Sequence, residues 1–258
     1  MKLNSQRGIA FGTNVNDVDV PDILRKRVSF NVEYLDDAFG GSGLTPSQVV
    51  MFTGMAGAGK TTMLLTGCNG LVKSGADVVF NSNEENLYQV KLHAERLQLT
   101  NGFKLGEEQH LPTLLNNCNE LRSKNPDKPF VLVIDSLQTM DDGYFANGAT
   151  NGRTPMRSME LITNWCKEHN TMAIVIGQVG KSGMFLGSNQ LKHMVDTMIS
   201  LTIDLKGNAE KNPTYGLRVL EATKNRFGGG AVKQWLQIGK RGFTVAAVEG
   251  KFDDEDEE

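Results

Sequence analysis

Cysteine is scarce in this chain. Its three cysteines, Cys68, Cys118 and Cys166, lie far apart with no C-x-x-C pair, which excludes a disulfide framework and a cysteine zinc site and fits reduced core thiols of a cytosolic protein. Long apolar runs are also missing. No stretch approaches the roughly 20 residues of a membrane-spanning helix, and the start Met1-Lys2-Leu3-Asn4-Ser5-Gln6 lacks the apolar core of a secretory signal, so a cytoplasmic location with no membrane contact is expected. Nor is there a large excess of charge: 27 Lys and Arg face 30 Asp and Glu. Six of those acids form the terminal run Asp253 to Glu258, and setting them aside leaves 24 acids against the 27 bases. A mildly basic body with an acidic tail suits a nucleic-acid binder whose tail competes with phosphate, and equally an ordinary body with a solvated terminus.

What is present is an ordinary folded composition, 39% hydrophobic and 22% charged over 258 residues, enough for one large domain with or without an extension. Apolar runs alternate with amphipathic stretches in the rhythm of a parallel α/β sheet. The expected strands are Val49 to Thr53, Val78 to Asn81, Phe130 to Ile134 and Thr171 to Ile176, their continuous Val/Ile/Leu character marking strands covered on both faces. After Met194 four segments, Thr197 to Asp204, Leu217 to Lys224, Val232 to Ile238 and Gly242 to Val248, follow one another without room for helices, which predicts antiparallel strands extending the sheet. Gly-rich stretches at Asp141 to Arg153 and Gly180 to Asn189 each follow a strand, where an open α/β sheet carries its ligand-binding loops.

The strongest motif is Gly54-Met55-Ala56-Gly57-Ala58-Gly59-Lys60-Thr61, a complete G-x-x-x-x-G-K-[ST] between an apolar strand and the helical pattern that starts at Thr62. Its glycines let successive N–H groups turn toward one anion, and the following helix N-terminus adds its dipole. Lys60 is expected on the β- and γ-phosphates of ATP, and the Thr61 hydroxyl on Mg²⁺, a hard cation that prefers oxygen. Phe130 to Ser136 delivers Asp135 at the end of an apolar strand, where a P-loop ATPase needs the acid that supports the metal. Adjacent Glu84 and Glu85 end the strand about 25 positions after the loop. One is placed to activate water while its neighbour points elsewhere, or both favour the dipole of the helix they open.

Several stretches, in order, resemble the RecA-superfamily ATPases, most closely the ATPase core of the bacterial RadA/Sms family: Gly40-Gly41-Ser42-Gly43-Leu44, Asn83-Glu84-Glu85 with Ala94-Glu95-Arg96-Leu97, Ile134-Asp135-Ser136-Leu137-Gln138-Thr139, His193-Met194-Val195-Asp196, and Lys224-Asn225-Arg226-Phe227-Gly228. The resemblance implies a RecA-like core over residues 31–248, between an extension at 1–30 and an acidic tail at 249–258, with a mostly parallel central sheet flanked by helices and antiparallel strands at its C-terminal end. It implies that Glu84 is the catalytic glutamate and that Lys224 and Arg226 reach a neighbour's γ-phosphate, so that the active sites of a homo-oligomer, a hexameric ring or a filament, lie between subunits. Gln178 takes the place of a γ-phosphate sensor, and His93 that of a residue near adenine. The four-cysteine zinc motif and the Lon-protease-like domain of full RadA are not in this sequence.

The same resemblance turns the two Gly-rich loops toward a central channel. Asp141 to Arg157, with Tyr144, Phe145, Arg153 and Arg157, and Gly180 to Lys192, with Lys181, Phe185 and Lys192, combine basic groups with aromatics in the manner of single-stranded DNA sites. The function expected is a DNA-dependent ATPase of recombination or replication that translocates on or remodels single-stranded DNA, with recombination or replication proteins as partners. The alternatives are a helicase motor of the DnaB group and a nucleotide-gated assembly protein of the KaiC kind.

Overall fold

The computed structural model describes residues 9–178, 189–228 and 232–247. Its elements run α1 (Glu33–Ala38), β1 (Val49–Gly54), α2 (Lys60–Lys73), β2 (Asp77–Ser82), α3 (Leu87–Arg96), β3 (Lys104–Gly106), α4 (Leu111–Ser123), β4 (Phe130–Asp135), α5 (Thr154–His169), β5 (Met172–Gln178), α6 (Asn189–Met194), β6 (Thr197–Ile203), β7 (Arg218–Asn225), β8 (Lys233–Gly239) and β9 (Gly242–Val245). One sheet joins all nine strands in the order β3-β2-β4-β5-β1-β6-β7-β8-β9.

The alternation of side chains along a strand explains the layers. Val50 and Phe52 of β1, Val131 and Val133 of β4 and Ile174 and Ile176 of β5 face a cluster that includes Met63, Leu64 and Leu71 of α2. Val49 and Met51, Phe130 and Leu132, and Ala173 and Val175 face the other side, against Leu114 of α4 and Met159 and Ile162 of α5. Each such fully buried side chain contributes roughly 1.5–3 kcal/mol, which is why these strands read as continuous apolar runs. The helices begin where their sequences dictate. Asn86 and Gln89 form a reciprocal capping box at α3, and α4 and α5 carry Pro in their first turn, where no amide hydrogen is required.

The four expected parallel strands form as β1, β2, β4 and β5, each a residue or two longer than the sequence pattern. The structure departs from these expectations in several places. The Thr197 segment is not antiparallel: β6 lies parallel to β1, with Val50 beside Thr197 and Gly54 beside Leu201. The short α6 returns the chain to the start of the sheet, and the antiparallel run begins only at β7. The strand β3 has no apolar signature and, among the described residues, pairs with β2 alone. Glu84 and Glu85 do not open α3, which starts after Asn86. The core also begins slightly before residue 31: Phe30 is buried, and Val28 bridges Leu44.

Candidate active site

The phosphate loop starts on Gly54, the last residue of β1, and runs on past the strand's carboxyl end, with Gly59 in the left-handed region at φ +100 as the N-cap of α2. Gly57 also holds positive φ, +74, so both turns favour glycine on backbone grounds. Crowding adds a second constraint. A Cβ on Gly59 would lie 2.7 Å from Phe243 and 2.9 Å from Ile238, and one on Gly54 would collide with the Leu201 carbonyl. The loop is therefore closed on one flank by the hairpin of β8 and β9. Met55, Ala56 and Ala58 fill the turn, Ala58 buried.

Lys60 donates from Nζ to the carbonyls of Gly54 at 3.1 Å and Met55 at 3.0 Å. Burial lowers its pKa, against the pull of Asp135 and Glu84. Asp135, 3% exposed, ends β4 beside it, and Thr61 donates its hydroxyl to Asp135 Oδ2 at 2.9 Å. Burial raises the Asp135 pKa to about 6; the Thr61 hydrogen bond lowers it, Glu84 and Glu85 raise it, and Lys60 lowers it. A hydroxyl and a buried carboxylate at the foot of a loop of N–H groups form a hard-oxygen donor set that fits Mg²⁺ carried in on phosphates. Among the described residues no group of three or more His, Cys, Asp or Glu could hold a metal, so the residues suit a shared cation rather than a caged one.

The adjacent glutamates part company. The Ser82 hydroxyl accepts from the Glu85 N–H at 3.2 Å and donates to the Glu85 carbonyl at 2.8 Å, fixing the bend after β2. Glu85 then lies 3.2 Å from His93 Nδ1, whereas Glu84 is exposed and acts electrostatically on both Lys60 and Asp135. His93 is thus engaged with Glu85. Arg96, one turn further along α3, is the residue that reaches the phosphate-loop helix: it donates to Thr62 Oγ1 at 3.4 Å and to the Lys240 carbonyl at 2.9 Å. The signal for it was the 3.6-residue period, since His93 and Arg96 share a helix face.

Lys224 and Arg226 stand elsewhere. Asn225 pairs with Thr197, which pairs with Val50, so both cations lie at the amino edge of the sheet, separated from the phosphate loop by the length of β1, roughly 16 Å at about 3.3 Å per residue. Lys224 donates to the carbonyls of Lys192 at 2.7 Å and Val195 at 2.6 Å, and burial lowers its pKa. Arg226 lies 3.2 Å from Asp196 Oδ1 and donates to the His193 carbonyl at 3.5 Å. Asp196, 6% exposed, also accepts the Val49 N–H at 3.0 Å. This aspartate links β1 and Arg226, a role that its motif alone did not disclose.

Of the residues expected on DNA, Tyr144, Phe145 and Arg157 form one cluster. Arg157 pairs with the buried Asp142 and lies over the Tyr144 ring at 4.3 Å, and the Tyr144 and Phe145 rings meet edge to face at 4.9 Å. Arg153 and Lys192 are exposed. Lys181 and Phe185 lie outside the described residues, as does the acidic tail, and of Gln178 only its place at the end of β5 is described.

Comparison with known proteins bears on the family and the fold. A family description, "ATPase: KaiC", matches residues 28–248. A DNA repair protein RadA of Aquifex aeolicus is 33% identical over 204 residues, covering 79% of this chain and 42% of that one. RadA of Campylobacter jejuni is 33% identical over 221 residues, covering 83% and 45%. The chain thus spans less than half the length of these relatives. The solved ATPase domain of G40P superposes with a TM-score of 0.71 at 15% identity, over 88% of this chain and 93% of that one, which speaks for the fold. No helix among the described residues is long and apolar enough to cross a membrane. With the family match extending over most of its length, the chain belongs to the KaiC-type ATPases of the RecA superfamily.

Proposed function

We propose that this ATPase works as a homo-oligomer whose nucleotide sites are completed between subunits, and that turnover is coupled to single-stranded DNA. The observation that carries the reading is the placement of Lys224 and Arg226 at the sheet edge opposite their own phosphate loop. Two cations that cannot serve their own site, on an otherwise nucleotide-binding fold, suit a site in the next copy. In that arrangement the loop amides and Lys60 hold the phosphates of ATP, Asp135 and Thr61 hold Mg²⁺, and Glu84 orients and deprotonates the attacking water. When bound, the metal neutralises phosphate charge. The neighbour's Arg226 offsets the charge that develops on the γ-phosphate, and Lys224 keeps α6 against the start of β6, so the arginine is presented from a fixed base.

The RadA relatives support a nucleic-acid substrate, and Tyr144, Arg153 and Lys192 supply the stacking and charge that a single strand requires. A nucleotide-gated assembly protein is the second reading, favoured by the KaiC description that matches the chain. ATP turnover measured with and without single-stranded DNA, with the mass in solution followed under both conditions, separates them. The motor reading expects an assembled protein whose turnover rises at least tenfold with DNA, while an assembled protein indifferent to DNA indicates the second. A protein that stays monomeric with nucleotide and DNA defeats both.

A further inference from the structure

Glu84 stands on a stretch of chain that is tied down on both sides. After it, the Ser82 hydroxyl holds the main chain of Glu85. Before it, the Asn83 N–H donates to the Asp135 carbonyl at 2.8 Å, which joins the strand end carrying Glu84 to the one carrying Asp135. The Asn83 side chain makes a further connection, away from the phosphate loop. Its Nδ2 donates to the Glu108 carbonyl at 3.2 Å and to Met140 Sδ at 3.1 Å, while its Oδ1 is buried and makes no hydrogen bond among the described residues. The side chain is therefore held through its N–H groups, and these serve two different segments.

One of them is the connection between β3 and α4, residues 107–110. A surface connection is ordinarily solvated and loosely held, but this one is fastened at both ends. Asn81, buried at the end of β2, donates to the Glu108 carbonyl at 2.9 Å and accepts the Glu108 N–H at 3.0 Å. Glu108 Oε1 accepts the His110 N–H at 2.9 Å. A parallel bridge then joins His110 to Asp141: the Leu111 N–H donates to the Asp141 carbonyl at 2.8 Å, and the Asp141 N–H to the Gln109 carbonyl at 2.9 Å. Asp141 accepts the Gly143 N–H at 2.9 Å, and Gly143 sits directly on the start of α4, where a Cβ would lie 2.9 Å from His110 Nε2 and 3.0 Å from Pro112. The next residue is Tyr144. An unbroken series of hydrogen bonds thus runs from the residue before Glu84 to the loop that carries the exposed aromatic.

We propose that residues 107–110 act as a strut between Glu84 and the loop at residues 141–144, with Asn83 as its joint: a positioning residue that sets how Glu84 stands against Asp135 according to the conformation of that loop. The element that can switch is the shared amide. A thioether is a weak acceptor on a flexible side chain, and Met140 immediately precedes Asp141, so a shift of the loop moves the Asn83 N–H groups between sulfur and the Glu108 carbonyl at little cost. Glu84, one residue along, is re-aimed by the same movement, and water activation depends steeply on such aim. The inference deepens the reading of Glu84 as the residue that activates water and of this loop as a strand contact, and rests on it.

The test places an environment-sensitive dye on the full chain at Ala146→Cys, an exposed position in the loop, the three native cysteines being buried. Adding Mg²⁺ and a non-hydrolysable ATP analogue, without DNA, should change the dye emission. Asn83→Ala should shrink that change about fivefold at an unaltered affinity for the analogue, and should lower kcat for ATP roughly tenfold at an unchanged KM. Gly106→Ala loosens the strut without touching the residues beside Glu84, since its Cβ would lie 2.7 Å from Asn81 Oδ1, and should have the same two effects. A dye that is silent to the analogue in the otherwise unaltered chain, or a response that survives both substitutions, overturns the proposal. Glu84→Gln keeps the two ideas apart: turnover retained in that variant removes Glu84 from catalysis, while a dye response that still depends on Asn83 upholds the strut.

Discussion

The two edges of the sheet carry opposite halves of one chemistry. At the carboxyl edge of β1, β2 and β4 stand the phosphate loop, Glu84 and Asp135, delivered together because parallel strands all end on the same side. At the amino edge, Lys224 and Arg226 arrive because β7 runs antiparallel to β6 and ends where β6 begins. The next reversal brings the chain back: β8 and β9 meet at a turn whose Phe243 and Ile238 cover Gly59 and whose Lys240 carbonyl holds Arg96. One change of strand direction thus sends two cations away from their own site, and the next returns a lid of apolar side chains to it.

The largest effect expected from this division is on catalysis in mixtures. Arg226→Ala should lower ATP turnover by roughly 10³-fold, in the range of arginine fingers, without loss of nucleotide binding, and Lys60→Ala should abolish turnover by disabling the loop. If the two edges work across a head-to-tail contact, mixing the two inactive variants joins an intact loop of one chain to an intact arginine of the other at about a quarter of randomly formed interfaces, and turnover returns to that extent. No recovery in an assembled mixture would mean that the edges do not cooperate in trans.

A second effect contrasts a buried charge kept for function with the fold around it. The Asp135 pKa is higher in the folded chain, about 6, than the ordinary value near 4. The folded state therefore binds that proton more tightly, and its stability should fall as pH rises from about 4 to about 6, then level off. Asp135→Asn removes the charge but keeps an acceptor for Thr61. In the nucleotide-free protein it should raise stability at pH 8 by on the order of 3 kcal/mol, with the gain gone below about pH 4. Denaturant midpoints at the two pH values measure this. A variant less stable at pH 8 would show that Asp135 is held by more than Thr61 and Lys60.

The carboxyl edge was the more legible in the sequence. Gly54 to Thr61 and Phe130 to Asp135 are contiguous, so strand, turn and chemistry appear within one window, and buried parallel strands announce themselves as apolar runs. The amino edge depends on direction, which no local pattern encodes. Thr197 to Ile203 has the same β-branched and apolar character whether it runs parallel or antiparallel to β1, and only the six residues of α6 decide it. Lys224 and Arg226 acquired a role from family resemblance, while the hold of Arg226 on Asp196 and of Lys224 on the end of α6 follows only from the folded chain. His93 took its place near adenine from the resemblance alone; in the fold it lies against Glu85, and Arg96 is the α3 residue that reaches Thr62.

The smallest effects are expected in the loop after β4 and the first turn of α5, where the sequence grouped Tyr144, Phe145, Arg153 and Arg157 as equals and the fold divides them. Arg157 is already neutralised by Asp142, whose side chain is 1% exposed, and its raised pKa follows first from that hydrogen bond. A guanidinium so engaged releases no counterions on binding a polynucleotide. Arg157→Ala should therefore lower the melting temperature by leaving Asp142 buried without its cation, yet leave the salt dependence of single-strand affinity unchanged. Arg153→Ala and Lys192→Ala should do the reverse, sparing the fold and reducing the slope of log affinity against log salt by about one each. Tyr144, 67% exposed, belongs with the second group if a base stacks on it: Tyr144→Ala then weakens binding by roughly 1–3 kcal/mol at a salt slope equal to that of the unaltered protein. A slope reduced by Arg157→Ala would mean that the ion pair with Asp142 opens when DNA binds, making Arg157 part of the interface after all.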